Sequence, residues 1–242
     1  MILRSAARTD VGLRRRANED RYAIAAPLGL YLVADGMGGH TAGQVASDLA
    51  AQSAVRALET LEDAEASLTE KLRYSVAAAN REIFGTAQAK PHMAGMGTTL
   101  VALLAGRTRI ALAHVGDSRA YLIRGGRIRQ LTDDHSLVAE LVRRQEISER
   151  AARGHPHRHV LTRALGVRRS VEADLAELTP AVDDTFVLCS DGLTSHVQDD
   201  EIATTVLGAA DLEGACDRLV DMANARGGED NITVVLVRCD KD

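Results

Sequence analysis

The chain has 242 residues, is 45 % hydrophobic and carries a formal charge of −5, enough apolar material for one large domain or two small ones that fold without staples. Two Phe, four Tyr and no Trp leave few stacking platforms, which with the negative charge argues against a nucleic-acid partner. Arg4 and Arg8 interrupt the amino-terminal apolar run too early for a secretory signal, and no later run is long enough to span a bilayer. Three cysteines in apolar surroundings form neither a disulfide framework nor a CxxC zinc motif, so a reduced, cytoplasmic protein without a membrane partner is expected.

In chain order, Arg21 to Ala34 predicts two strands about Pro27, and a helix follows from Thr41 to about Leu61. A second helix starts at a capping box, Ser67 to Glu70, and carries Leu68, Leu72, Val76, Ala79 and Ile83 on one stripe before Gly85. Three strands then follow closely, TLVALLA, RIALAHV and SRAYLIR, and Gly125-Gly126 turns the last back into RIRQL as a two-residue hairpin. These strands are antiparallel neighbours, yet several are apolar at every position, so both faces must be covered. Helix, sheet, sheet, helix is the layering that does this. Residues 134 to 170, poor in apolar side chains, read as a helix followed by a mobile excursion from one domain spanning 1–242, not as a second domain. The strand TFVLCS, helices from Asp199 and Asp211, the Gly227-Gly228 stop and the strand ITVVLV complete the chain.

Four of the apolar runs touch an aspartate at one end: Asp35, Asp117, Asp191 and Asp230. Asp35-Gly36 and Asp191-Gly192 also have the form of ordinary turns. Carboxylates beside buried strands are costly unless something positive meets them, and no lysine or arginine recurs beside these four. With Glu19 and Asp20 upstream, the set suits hard divalent cations that take oxygen ligands, Mg²⁺ or Mn²⁺, better than zinc. Between Arg143 and Arg169 eight arginines face two glutamates, and Arg14, Arg15 and Arg16 form a second cluster. Such groups suit phosphate or carboxylate ligands, or make a solvated basic surface. If extended, the segment holding His155, His157 and His159 would put all three on one face, where a separate zinc site is the sharper of two readings.

The ordered blocks TDVGLRRRANED, LVADGMGGH, GTT, HVGDSRAYL, LTDDHSL, HPHRHVLTRALG, SDGL and DNITVVLV resemble the protein phosphatase 2C family in its bacterial, single-domain form, over about Arg8 to Val237. The resemblance implies an α+β fold, a four-layer α-β-β-α sandwich of two antiparallel sheets, with a flap at about 143–165 beside the active site. It implies hydrolysis of phosphoserine and phosphothreonine in proteins by direct attack of a water bridging two Mn²⁺ or Mg²⁺ ions. Asp35 then bridges the metals, with the Gly36 carbonyl on one of them and Asp191 and Asp230 on the other. Glu19 and Asp20 act through metal-bound waters, Asn231 supports Asp230, and Asp117 with Asp191 takes a third ion, which His159 can approach. Arg15 is the phosphate clamp by alignment.

Where many eukaryotic members carry a histidine after the Asp-Gly pair, this chain has Met37. His40 then either protonates the leaving group or hydrogen-bonds locally. Phosphoproteins and a cognate serine/threonine kinase are the implied partners, acting on a monomer. The alternative is a catalytically inactive phosphatase-like domain that binds phosphoproteins. Ser190 and Ser118 have no His-Asp relay at suitable spacing, which disfavours a serine nucleophile.

Overall fold

A computed structural model describes residues 2–38, 41–61 and 65–241. Two antiparallel sheets lie face to face. One holds β1 (Ile2–Asp10), β11 (Ile232–Asp240), β10 (Thr185–Cys189), β7 (Arg119–Arg124) and β8 (Arg127–Gln130), in that order. The other runs β2 (Asp20–Ala25), β3 (Leu30–Met37), β5 (Leu100–Ala105), β6 (Ile110–Val115) and β9 (Asp174–Leu178), with β4 (Gly97–Thr98) paired to the end of β3. Helices α1 (Thr41–Glu59) and α2 (Leu68–Ala89) cover the second sheet, and α6 (Asp199–Leu207) and α7 (Leu212–Ala225) cover the first.

The continuously apolar strands now make sense. Each sends alternate side chains into two different cores, as the period of two requires. Along β3, Leu30, Leu32 and Ala34 meet the α1 and α2 side while Tyr31 and Val33 face the opposite sheet. Along β11, Ile232, Val234 and Leu236 meet α7 while Val235, Val237 and Cys239 face inward. Residues Val101, Leu103, Leu122, Phe186 and Leu188 fill the layer between the sheets. All three cysteines are free and buried.

Several expectations need adjustment. Helix α2 does not stop at Gly85 but continues to Ala89; it ends at extended Lys90, the residue before Pro91. The polar edge strand β1 and the half-exposed β9 escape sequence reading, since little on them is buried. Gly125 and Gly126 both take positive φ, 56° and 77°, as the predicted hairpin turn demands. The excursion after β8 contains two short serine-capped helices, α3 (Leu137–Arg143) and α4 (Glu149–Arg153), and then successive turns. No described helix is long and apolar enough to cross a membrane.

Candidate active site

Asp35 is not in a turn. Strand β3 runs on through Gly36 to Met37, paired with β4, so the aspartate sits in register opposite Asp20 of β2. Its main chain is held on both sides: its N–H donates to Thr99 Oγ1 at 3.0 Å, and its carbonyl accepts from Thr98 Oγ1 at 2.8 Å. Gly36 is obligatory for space rather than for φ. A Cβ there would lie 2.1 Å from the Gly43 carbonyl oxygen, and one at Gly43 would lie 2.1 Å from Glu19 Oε2. The crossing of β3 and α1 therefore admits only glycines, and the Glu19 carboxylate uses the room left by the second.

The other acids arrive from the facing sheet or from the loop that leads into it. Asp117 follows β6 in the loop that leads to β7, and Asp230 precedes β11. Asp191 follows β10 after Ser190 and opens the short helix α5 (Asp191–Thr194), so Asp191-Gly192 is a helix start and not a hairpin turn. Desolvation raises the Asp35 pKa well above the ordinary carboxylate range, with further contributions from the charges of Asp20, Asp191, Asp117 and Asp230. Asp117 is raised in the same way, by desolvation first and then by Asp191 and Asp134. Burial pushes Asp20 up to about 7 even though Ser190 Oγ donates to its Oδ2 at 2.6 Å. Asp20 Oδ1 is buried with no protein partner.

Arg15 Nη2 donates to Asp230 Oδ2 at 2.6 Å, and the charges of Glu19 and Asp35 also act on it. Asn231 does more than support its neighbour. Its side chain accepts from the Glu19 N–H and donates to the carbonyls of Val11 and Ala17, fastening the loop that carries Arg15 and Glu19, while Asp230 Oδ1 accepts the Asn231 main-chain N–H. His159 Nδ1 lies 3.8 Å from Asp191 Oδ2, and that contact raises its pKa. His155 and His157 sit in consecutive turns rather than an extended run, with ring centroids 5.6 Å apart, so the three histidines do not line one strand face. His40 lies outside the described residues.

Three supporting residues went unassigned in the sequence. Ser190, weighed there only as a nucleophile, is spent between Asp20 and the Thr233 N–H. Thr99 accepts from Asp35 and lies 2.7 Å from Ser118 Oγ, joining the Asp35 strand to the Asp117 loop. Gly43 left a signal: a glycine inside a helical pattern costs about 1 kcal/mol against alanine and asks for a packing reason.

The profile of protein phosphatase 2C matches residues 17–232, which include every acid of the cluster. The chain belongs to the protein phosphatase 2C family. Among relatives, the serine/threonine phosphatase stp of Listeria monocytogenes is 43 % identical over 96 % of this chain and 94 % of its own. The fold matches the crystal structure of the Mycobacterium tuberculosis serine/threonine phosphatase PstP/Ppp with a TM-score of 0.90 at 39 % identity, over the whole of both chains. It also matches the PstP catalytic domain in complex with two manganese ions, with a TM-score of 0.87 at 38 % identity over 99 % of each chain. The α-β-β-α layering expected of a protein phosphatase 2C is therefore the fold of this one.

Proposed function

We propose that the chain is a metal-dependent protein phosphatase that hydrolyses phosphoserine and phosphothreonine esters in proteins by direct attack of water. The observation that carries this reading is the convergence of Asp20, Asp117, Asp191 and Asp230 on Asp35, together with a buried Asp20 carboxylate oxygen that has no protein partner. Five mutually repelling carboxylates offer a donor set of oxygens, which fits Mn²⁺ or Mg²⁺. Asp35, the Gly36 carbonyl, Asp191 and Asp230 would hold two ions, with Glu19 and Asp20 acting through water, and Asp117 with Asp191 would take a third. When bound, such ions supply the Lewis acidity that makes water nucleophilic near neutral pH.

The chain's own contributions are orientation and charge. Thr98, Thr99 and Ser190 hold Asp35 and Asp20 in place, and Asn231 holds the Arg15 loop. Arg15, half exposed and now on Asp230, can offer a fork to the phosphate oxygens. A phosphoseryl-enzyme route finds no support, since Ser190 is bonded to Asp20 and Ser118 to Thr99. Release of phosphate from a phosphothreonine peptide that depends on Mn²⁺ and stops with EDTA tests the reading; an inactive phosphoprotein-binding domain would bind the peptide without turnover.

Arg15→Ala should raise KM for a phosphopeptide by about 10- to 100-fold, the worth of a charge-assisted hydrogen bond, with bound metal unchanged. Loss of metal in that variant would assign the arginine a different role. In the flap, Arg143, Arg144, Arg150, Arg153 and Arg158 are exposed, next to the segment whose His159 approaches Asp191. We infer that this surface receives acidic stretches of the substrate. Replacing Arg150 and Arg153 together by glutamate should raise KM for phosphoproteins about tenfold and leave a small aryl phosphate unaffected. Such substrates are the products of a serine/threonine kinase acting on the same proteins, the chain's functional counterpart.

A further inference from the structure

Outside the acidic cluster, His114, His135 and Asp174 bring ligand atoms within 4.8 Å of one another, with both histidines buried. The geometry does not suit a metal. The two rings stack with centroids 4.4 Å apart and planes 25° apart, so their in-plane lone pairs run side by side instead of meeting at a point. Both nitrogens of His135 are also committed. Nδ1 accepts the Gly116 N–H at 3.2 Å, which requires a bare lone pair there, and Nε2 lies 3.2 Å from Asp174 Oδ2, where it must carry the proton. Burial lowers the His135 pKa, which keeps this neutral form.

The consequence lies one residue further on. Gly116 has φ 108°, and a Cβ on it would sit 2.6 Å from Thr99 Cγ2, so the loop is in a conformation that only glycine adopts and that needs outside support. His135 gives that support twice, since its own N–H also donates to the Gly116 carbonyl at 2.8 Å. Asp117 follows immediately. On the other side, Asp174 is held by Arg163 at 2.6 Å, and the His135 carbonyl accepts the Thr162 N–H at 2.8 Å. The imidazole, between Gly116 and the Asp174–Arg163 pair, and the His135 main chain, between Gly116 and Thr162, therefore join the Asp117 loop to the carboxyl end of the flap.

We propose that His135 is a positioning residue for the reaction: Asp174 fixes its Nε2–H tautomer, and the bare Nδ1 holds Gly116 so that the Asp117 carboxylate is presented to the other acids. This rests on the phosphatase reading above and on Asp117 having a part in it. Two substitutions separate the ends of the ring. In His135→Asn the amide oxygen stands near the place of Nδ1 and can still accept from Gly116, whereas in His135→Gln the longer amide reaches toward Asp174 and leaves the Gly116 N–H bare.

Nitrogen-15 spectra of the wild-type ring should show a bare Nδ1 and a protonated Nε2. His135→Asn should keep kcat within about threefold of wild type, and His135→Gln should lose about tenfold in kcat with KM little changed, the cost of one missing hydrogen bond. Calorimetric titration with Mn²⁺ should show the weakest binding event loosened about tenfold in His135→Gln and the tighter events unchanged. In an Asp117→Asn background, His135→Gln should cost nothing more, because the two act in series. The opposite tautomer, equal losses in both variants that follow their melting temperatures, or an undiminished loss in the Asp117→Asn background would each overturn the assignment. A wild-type protein without phosphatase activity would overturn the functional reading instead, and the tautomer and the Mn²⁺ titration would still decide for or against His135.

Discussion

Asp191→Asn, or full removal of metal by EDTA, is expected to lower kcat/KM toward a phosphothreonine peptide by at least about 10³-fold, since a catalytic cation contributes several kcal/mol of transition-state stabilisation. Asparagine has the shape of aspartate, and the side chain it replaces meets His159 at the long distance of 3.8 Å. The main-chain carbonyl of residue 191, which accepts from Ser195, is untouched. The fold should therefore survive, and the metal-free variant should melt no lower than metal-free wild type because one member of a repelling cluster has become neutral. Added Mn²⁺ should restore the EDTA-treated wild type completely and the variant hardly at all. An Asp191→Asn protein with near-normal turnover at ordinary Mn²⁺ concentrations would show that this aspartate is not part of the reaction centre.

The second large effect concerns stability and needs no substrate. In EDTA, the margin by which Asp20→Asn is more stable than wild type should grow by about 3 kcal/mol between pH 5 and pH 8. Burial raises the folded-state pKa of Asp20 from 3.8 to about 7, so the folded chain holds this proton more tightly than the unfolded chain does. Stability from the site is then intact below the unfolded value, declines as pH rises from about 4, and levels off above about 7. Asp35 and Asp117, raised in the same direction, add to the decline. Asparagine at 20 keeps an oxygen for the Ser190 hydroxyl, which now lies 2.6 Å from Asp20 Oδ2, and abolishes the titration. Urea melts of both proteins across this range give the answer, and a constant difference would mean that Asp20 is ionised in the metal-free fold. Saturating Mn²⁺ should reverse the trend, because the ions favour the charged carboxylates.

Much of the site could be read from the chain because its acids follow a rule of position. An aspartate that ends a run of buried residues can be seen in one dimension, and Asp35, Asp191 and Asp230 each end or begin such a run. The layering was equally legible, since an antiparallel strand with no polar alternation has to be covered on both faces. What the sequence concealed depends on contacts between distant segments. Asn231 has its own reach across to Val11 and Ala17, more than 200 positions away, and no local pattern announces it. Thr99 and His135 stand in the sequence only as members of the stretches GTT and LTDDHSL, and their work is done through hydrogen bonds to Asp35 and Gly116 that no spacing rule supplies. The edge strands β1 and β9 were hidden for the opposite reason, having too few buried residues to leave a period.

The acids do not belong to one sheet. Asp20 and Asp35 sit on paired strands of one layer, whereas Asp191 and Asp230 flank neighbouring strands of the other, with Thr99 and Ser118 touching across the seam. An ion shared among them would add a clasp between two halves that already touch at that end through the Ser190–Asp20 and Thr99–Ser118 hydrogen bonds. The supply of divalent metal would then govern how long the folded chain resists proteases as well as how fast it turns over, by the mass action through which any ligand of the native state protects it.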